Sequence, residues 1–592
     1  MVSESQSMLN NMPEQKTEQV LDRSAPRIWQ LLLLLIVAPV LLLAIYSKFV
    51  YVGLVNPYAL DFAQLGRNIS AGHGMTTYIL HPLALTHGTN LLRQPDVIHG
   101  PLFPFLLALG FGAAGARDAV ASGVSSLFYL LTIPLLYALG LRVFNRKVGL
   151  LAAMAFAGSG LSLQYAVSGL NISLYTFLIT ALFLALYNLG AGKAETPESA
   201  DAPLSTALLV TVGVFTGLLY LVDPLFIWVV PVILGSVLWI CGPKRRAVAL
   251  KFMAPCVLVM APWMVRNLLV TGNPIFGLRG AELWMFTEHH YPGRMGYSLY
   301  SEDFSRGFAD MQLNLAVLRK IMANLNAVIH TMPQISDGWI LAFLMPCLLY
   351  GYSSRSASIL RQTTVFTALA LLAGMLLFQV DMTLFTGLVP TMLIFAIAYL
   401  MHLVRQAKIT PVGTWMIAGL LGVTVIYPAI GQMFLEEKMH RIAEIPDAKG
   451  LSNLASAQEA VLTDYPELIA WYADRPAIQM PVAENRITDI RNQFPGTRWV
   501  FLTPLTRIQS SQWRLLYDQC AQWNNQYVQA LLTHSETPTP RQVPVSKDPL
   551  FKALEGFTTV APIPGSLSST VIGTFTATKL SVGANSGQQP TP

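Results

Sequence analysis

The sequence predicts a polytopic α-helical membrane protein of about 11 transmembrane helices, followed by a small exterior α/β domain at the C-terminal end. Three observations carry this. Only 12% of the 592 residues are charged, half of the roughly 25% usual in a soluble globular chain. The apolar residues, 53% of the total, with a mean hydropathy of +0.49, fall in long unbroken runs. Beyond residue 434 the pattern changes to strand-like runs (459–464, 498–503) alternating with helix-like ones (467–473, 512–532). The charge deficit excludes a disordered chain and a purely soluble enzyme. The unbroken runs exclude an outer-membrane barrel, whose strands alternate. Cys241, Cys256, Cys347 and Cys520 are too scattered for a disulfide framework or a cysteine zinc site. The net charge of +6 needs no nucleic acid, because membrane proteins keep Lys and Arg in cytoplasmic loops. The chain contains no nucleic-acid module, no Gly-rich phosphate loop and no internal repeat.

Residues 1–27 form a polar tail with Lys16, Arg23 and Arg27. The run 28–51 exceeds the ~7–15 residues of a signal-peptide core and continues into Tyr46, Phe49 and Tyr51, so it reads as an uncleaved first span with a cytoplasmic N-terminus. Further spans fall near 118–141, 148–167, 171–190, 204–222, 224–241, 252–270, 337–352, 362–380, 383–403 and 412–433. The stretch 101–113 is too short to cross and reads as a re-entrant or interfacial helix. In this arrangement the inside loops hold Arg142, Arg146, Lys147, Lys193, Lys244, Arg245, Arg246, Lys251, Arg355, Arg361, Arg405 and Lys408. The short connections opposite carry Asn171, Asp223 and Asp381 without Lys or Arg, as the positive-inside rule requires. The expected organisation is therefore a membrane domain at 28–433 with exterior loops at 52–117 and 271–336. An exterior α/β domain follows at 434–580, then a disordered tail at 581–592. The expected location is the inner or plasma membrane, with the C-terminal domain periplasmic or extracellular.

The first exterior loop contains LDFAQLGRNISAGHGMT (60–76). Phe62, Leu65 and Ile69 recur at helical spacing, and Asp61, Gln64 and Asn68 form a polar stripe beside them. Such a helix lies in the membrane interface with its polar face toward an aqueous cavity. Asp61 with Gln64 three residues on is also the pattern of a helix N-cap and capping box.

The Asp followed by a helical QLGRNI stretch, just after the first span, resembles the first loop of the glycosyltransferase C superfamily. More narrowly it is similar to bacterial relatives of the protein O-mannosyltransferases and the lipid A aminoarabinose transferases (family 39 type). HGPLFPFLLAL (99–109) resembles that family's Pro-containing juxtamembrane helix. APWMVRNLLVTGNPIFG (261–277) resembles its PW–RN–G–P–F signature, and VLTDYPELIAWYADRPAIQMP (461–481) its WY–GRP segment. The four occur in register along most of the chain.

The resemblance implies transfer of a sugar from a polyprenyl-phosphate carrier to an acceptor hydroxyl on the exterior face, with inversion. The acceptor is a glycolipid, polysaccharide or protein, and membrane lipids are the remaining partners; no nucleic acid is involved. Such chemistry needs a carboxylate to take the hydroxyl proton and cations to stabilise the departing phosphate. Asp61 is the candidate base. Arg266, at the exterior end of a span, is the first candidate phosphate ligand, against a reading in which it only snorkels to headgroups. Arg67, Arg93 and His99 are further phosphate candidates, Arg67 having the alternative of a solvated helix residue. Gln64, Asn68, Asn171 and Asp223 are candidates for the substrate groove. In WMFTEHHYPGR (284–294), Glu288 and His289 are the candidates for a divalent metal, the alternative being an ordinary surface loop; no other cofactor is implied.

The family pattern is incomplete. A second acidic residue expected in the loop before the fourth span is missing from VSGLNISLYTF (167–177), where Asn171 offers an amide without charge. Asp223 in LVDPLF reads first as the cap of a helix beginning at Pro224. An Arg-Tyr pair expected near 380–390 is absent, and Asp381 does not replace its charge. The sequons at Asn68 and Asn171 read as chance. Two other readings remain: a transporter or flippase of lipid-linked saccharides, and a binder without catalysis. The gathering of polar residues at one membrane face favours an enzyme over a transporter, whose ionisable residues lie near the midplane.

Overall fold

In the absence of water a membrane-spanning backbone must satisfy its own polar groups, and helices do so. The computed structural model describes residues 28–87, 90–191, 205–241, 245–283, 315–332, 351, 354–434, 444–481, 486–508, 513–519, 558–559 and 570–573, with isolated positions at 522, 526, 529 and 533. Among the described residues seven helices are long and apolar enough to cross a membrane. These are α1 (Gln30–Val50), α4 (Asp118–Val143), α7 (Ile172–Ala191), α10 (Arg245–Thr271), α12 (Arg355–Leu377), α13 (Val389–Gln406) and α14 (Pro411–Phe434). A bent pair, α5 (Arg146–Gly158) and α6 (Gly160–Val167), makes an eighth if it counts as one span. Between them lie α2 (Pro57–Ser70), α3 (Leu102–Ala114), α8 (Thr206–Val222), α9 (Val230–Cys241) and, after the α10 end, α11 (Leu315–Thr331). The protein is a multi-pass membrane protein, but the expected count of eleven spans is matched only in part.

The differences have local causes. The expected span at 148–167 bends by 58° because Ser159 leaves the helical region (ψ 127°), caps α6 by accepting from the Ser162 amide, and is flanked by glycines. A Cβ on Gly160 would lie 2.9 Å from the Ala429 nitrogen of α14, so the close approach requires glycine. The Tyr129 hydroxyl of α4 donates to the Ala157 carbonyl near the break at 2.7 Å. The expected spans at 204–222 and 224–241 yield only the shorter α8 and α9, separated by the 3-10 turn Pro224–Trp228. The expected start at 362 lies inside α12, which begins at Arg355 with Ser354 as its cap. The expected start at 383 gives a single turn, Thr383–Thr386, before α13. The expected span at 337–352 lies almost wholly outside the described residues, as do the 1–27 and 581–592 tails.

Small residues set the helix crossings, as lipid-facing bundles require. A Cβ on Gly140 of α4 would lie 2.6 Å from the Gly149 Cα of α5, and one on Gly149 would lie 2.6 Å from the Tyr137 carbonyl. Gly140→Leu should therefore force the two helices apart at a cost of about 1–3 kcal/mol or more. A lowered thermal midpoint, or loss of the monodisperse species in size-exclusion chromatography, is the expected result.

Residues of the first loop and the C-terminal region form a six-stranded sheet, separate from the strand β1 (Thr76–Thr77), in the order β2-β5-β4-β6-β8-β7. Its strands are β2 (Ile79–Leu80), β4 (Ala460–Thr463), β5 (Ala477–Gln479), β6 (Thr497–Leu502), β7 (Thr558–Thr559) and β8 (Thr570–Gly573). β2, β5, β4 and β6 run parallel, and β8 and β7 close the sheet in antiparallel fashion. β4 is buried throughout and β6 nearly so, as parallel strands covered on both faces are. β2 belongs to the first loop, and Leu80 and Leu85 of that loop share a core with Ile478, Val500 and Trp513. Loop and C-terminal sheet are thus one packing unit.

The WY–DRP segment fastens this unit to the membrane helices. Trp471 Nε1 and the Tyr472 hydroxyl each donate to a different oxygen of Asp118, both at 2.8 Å, at the start of α4. Arg67 of α2 donates to the Ala470 and Trp471 carbonyls at 2.7 and 3.0 Å and pairs with Asp474 at 2.8 Å. Asp474 itself adopts the left-handed conformation (φ 54°) that usually falls to glycine. Asp118→Ala leaves two donors without their acceptor, a loss of about 1–3 kcal/mol for each buried group. Faster hydrogen exchange in 466–475 with little change in α12 is the expected outcome.

Candidate functional site

The polar end of the bundle is built around α2. Asn56 caps this helix by accepting from the Tyr58 amide at 2.9 Å, and Pro57 occupies its first turn. The N-cap reading of Asp61 is thereby corrected: the cap lies one turn earlier, and Asp61 stands in the second turn with its side chain turned into the protein, 2% exposed.

There Asp61 Oδ2 lies 3.4 Å from His99 Nε2, longer than a short hydrogen bond. The other ring nitrogen of His99 lies 3.1 Å from Asp96 Oδ1, and the His99 amide donates to Asp96 Oδ2 at 3.0 Å. His99 is thus held between two carboxylates, with the Phe62 ring against its edge. Burial by itself raises the Asp96 carboxyl, but the charge and hydrogen bonds of His99, with Arg266 nearby, outweigh it and hold the group below its ordinary range. The Met75 carbonyl joins these elements, since it accepts from both the Asp96 amide and Arg266 at 3.1 and 3.3 Å. Arg266 is half-buried over the Trp263 ring, 4.4 Å from its centroid. The order Asp61–His99–Asp96–Arg266 therefore runs from α2 to the end of α10.

His99 and Phe62 also wall a cavity of about 320 Å³, with Asn171, Tyr175, Asp223, Arg279, Glu282 and Asp381 on its other sides. Arg279 Nη1 lies 3.0 and 3.1 Å from the two Asp223 oxygens, and Nε lies 3.2 Å from Glu282 Oε1. Asp223 also caps the 3-10 turn by accepting from the Leu225 amide at 2.8 Å, so it is at once a cap and part of the cavity wall. Burial, together with the charge of Asp223, pushes Asp381 above the usual carboxylate range, against the hydrogen bonds of Thr383 and the charge of Arg279. The chain reaches Arg279 through Gly277, whose φ of +56° and 2.7 Å Cβ approach to the Val97 carbonyl only glycine permits. From α11, Lys320 donates to the Leu283 carbonyl at 3.0 Å, and Asn324 donates to the Phe378 carbonyl at 2.8 Å. These contacts clamp the two chain segments that carry Glu282 and Asp381. Burial pushes the Lys320 amine down to about 8, against the charge of Glu282.

The sequence candidates separate accordingly. Asn171 and Asp223 line the cavity with His99; Asp61 lies behind His99, and Arg266 follows Asp96. Gln64 is fully buried, and its amide atoms have no hydrogen-bond partner among the described residues. Asn68 donates to the Thr76 carbonyl at 2.8 Å. Arg67 is engaged by the C-terminal unit, and Arg93 is exposed in the turn before β3 (Gln94–Pro95). Neither Arg67 nor Arg93 lines the cavity. Glu288 and His289 lie outside the described residues. Among the described residues no group of three His, Cys, Asp or Glu side chains is arranged to hold a metal ion. At the cavity the positive charge between Asp223 and Glu282 is the Arg279 guanidinium. Sequence reasoning missed Asp96, Arg279, Glu282 and Tyr175. The i, i+3 spacing of Asp96 with His99 and of Arg279 with Glu282 was the available signal for three of these four.

The helical membrane domain, with its first loop packed against a C-terminal sheet, has the glycosyltransferase C fold. Two groups of solved structures share it. The archaeal oligosaccharyltransferase AglB from Archaeoglobus fulgidus, in complex with an inhibitory peptide and a dolichol-phosphate, is similar at a TM-score of 0.55 and 15% identity, over 82% of this chain and 70% of that one. ArnT from Cupriavidus metallidurans, bound to undecaprenyl phosphate, is similar at a TM-score of 0.53 and 12% identity, over 93% of this chain and 99% of that one. The same ArnT in its apo state gives 0.50 at 13% identity. No family profile and no curated protein matches the sequence.

Proposed function

We propose that the protein is a membrane glycosyltransferase that moves a sugar from a polyprenyl-phosphate-linked donor to an acceptor hydroxyl, with inversion, on the exterior face. The observation that carries this reading is the contact between Asp61 and His99 at the wall of the cavity. Its volume of about 320 Å³ is within the range of small-molecule sites. Asp61 takes the proton of the acceptor hydroxyl while His99 holds the carboxylate in place. The acceptor oxygen forms its bond to the anomeric carbon as the bond from that carbon to the phosphate oxygen breaks, and the electron pair leaves with the carrier phosphate. Arg266 faces that phosphate; a cation fixed at the end of a helix stabilises the growing charge without reorganising. No step is assigned to a metal.

Mass spectrometry of envelope glycans and carrier lipids, from cells with and without the gene, tests the reading. A sugar lost from one glycan, with its lipid-linked donor accumulating on the exterior leaflet, is the expected result. An unchanged glycan pool with the donor trapped on the cytoplasmic leaflet would instead identify a flippase.

A further inference from the structure

Tyr175 stands in the first turn of α7, its amide donating to the Asn171 carbonyl at 2.9 Å. Its side chain forms part of the cavity wall, and the residue is 2% exposed, yet the hydroxyl has no hydrogen-bond partner among the described residues. The ring is fixed from both sides. Phe226 meets it edge-on at 6.0 Å, and a Cβ on Gly387 would lie 2.7 Å from its Cε1. The hydroxyl is within electrostatic reach of Asp223 and Asp381. Buried hydroxyls in native proteins nearly always have partners, and an orphan calls for an explanation. Packing does not supply one here, because a phenylalanine would fill the same space and leave no polar atom unsatisfied.

We propose that Tyr175, with Asn171 and Asp381, forms a subsite for the hydroxyl groups of a sugar ring in the cavity that His99 also lines. The proposal rests on the glycosyltransferase reading and adds the subsite to it. A sugar hydroxyl both donates and accepts. It can donate to the Asp381 carboxylate, accept from the phenol, and bond the Asn171 amide with a neighbouring hydroxyl. A phosphate suits this wall poorly, since the carboxylates of Asp223, Glu282 and Asp381 outnumber the single Arg279 guanidinium there. The carrier phosphate therefore belongs at the Arg266 side, and the sugar extends from there toward Tyr175.

Tyr175→Phe in the full-length protein tests this, because it removes one oxygen that has no partner among the described residues. Binding would be measured in nanodiscs to two probes: undecaprenyl phosphate, and undecaprenyl phosphate carrying a sugar. The wild type should prefer the sugar-bearing lipid. The variant should lose that preference by about tenfold, with unchanged affinity for the bare carrier and an unchanged or raised thermal midpoint. A variant that keeps the full preference overturns the subsite and leaves the transferase reading standing. A wild type with no preference for the sugar-bearing lipid overturns both.

Discussion

Asp61→Asn should lower sugar transfer by about 10²–10⁴-fold, the range supplied by a positioned general base, while the protein remains folded in the membrane. The amide has nearly the shape of the carboxylate, so the packing of a residue only 2% exposed is preserved. What it loses is the ability to accept a proton. His99 keeps Asp96 on its other nitrogen, so the imidazole stays in place. The low pKa of Asp96 gives this anchor a definite pH range. A carboxyl held lower in the folded state than in the unfolded state stabilises at pH above its unfolded value. That contribution is lost only as the pH falls below about 4 and through the folded value. Asp96 is thus ionised, and able to accept from His99, across the neutral range in which transfer would be assayed. His99→Gln should have the smaller effect, because it disturbs the orientation of the base and leaves the base itself. Initial rates with a lipid-linked donor, read beside thermal midpoints, check both variants. An Asp61→Asn protein that retains a tenth of the wild-type rate would remove the base assignment.

Most of the membrane architecture is legible in the sequence because lipid imposes a length and a composition on each span. What escapes is local. The break at Ser159 depends on one cap and one close glycine contact, and the short α8 depends on the Asp223-Pro224 stop; neither alters the apolar run around it. The α2 cap was legible in Asn56-Pro57, but the more conspicuous Asp61 and Gln64 pattern competes with it. The site is less legible because its partners are distant in the chain. Arg279 meets Asp223 across 56 residues, and Arg67 meets Ala470 across 403. Nothing around Arg67 distinguishes a phosphate ligand from a bolt between α2 and the C-terminal unit. The two-residue strand β2 carries no periodicity at all, so its place in the C-terminal sheet follows only from tertiary pairing. The bookkeeping of membrane sides does better. It groups Asp61, Asn171, Asp223 and Arg266 at one end before any contact is known.

Arg279→Met should be the most destabilising single change at the cavity. The guanidinium serves two carboxylates at once, with Nη1 on Asp223 and Nε on Glu282, and the side chains of the three are 13%, 11% and 2% exposed. Removing one partner of a buried pair costs about 3–5 kcal/mol, because the charge left behind is neither solvated nor neutralised. Here two carboxylates are stranded together, with Asp381 also on the cavity wall. Arg279→Lys should recover only part of the loss, since an ammonium is a single point charge and lacks the fork that reaches both acids. Adding Asp223→Asn to Arg279→Met should restore stability relative to the single variant. It removes one stranded charge, and the Asn oxygen can still accept from the Leu225 amide. A surface ion pair would behave otherwise, with a small loss that vanishes in high salt. Thermal unfolding of the four proteins, with and without added salt, separates the two cases. A drop under 1 kcal/mol in Arg279→Met, or a double variant no more stable than the single one, would show that the guanidinium does not neutralise these acids.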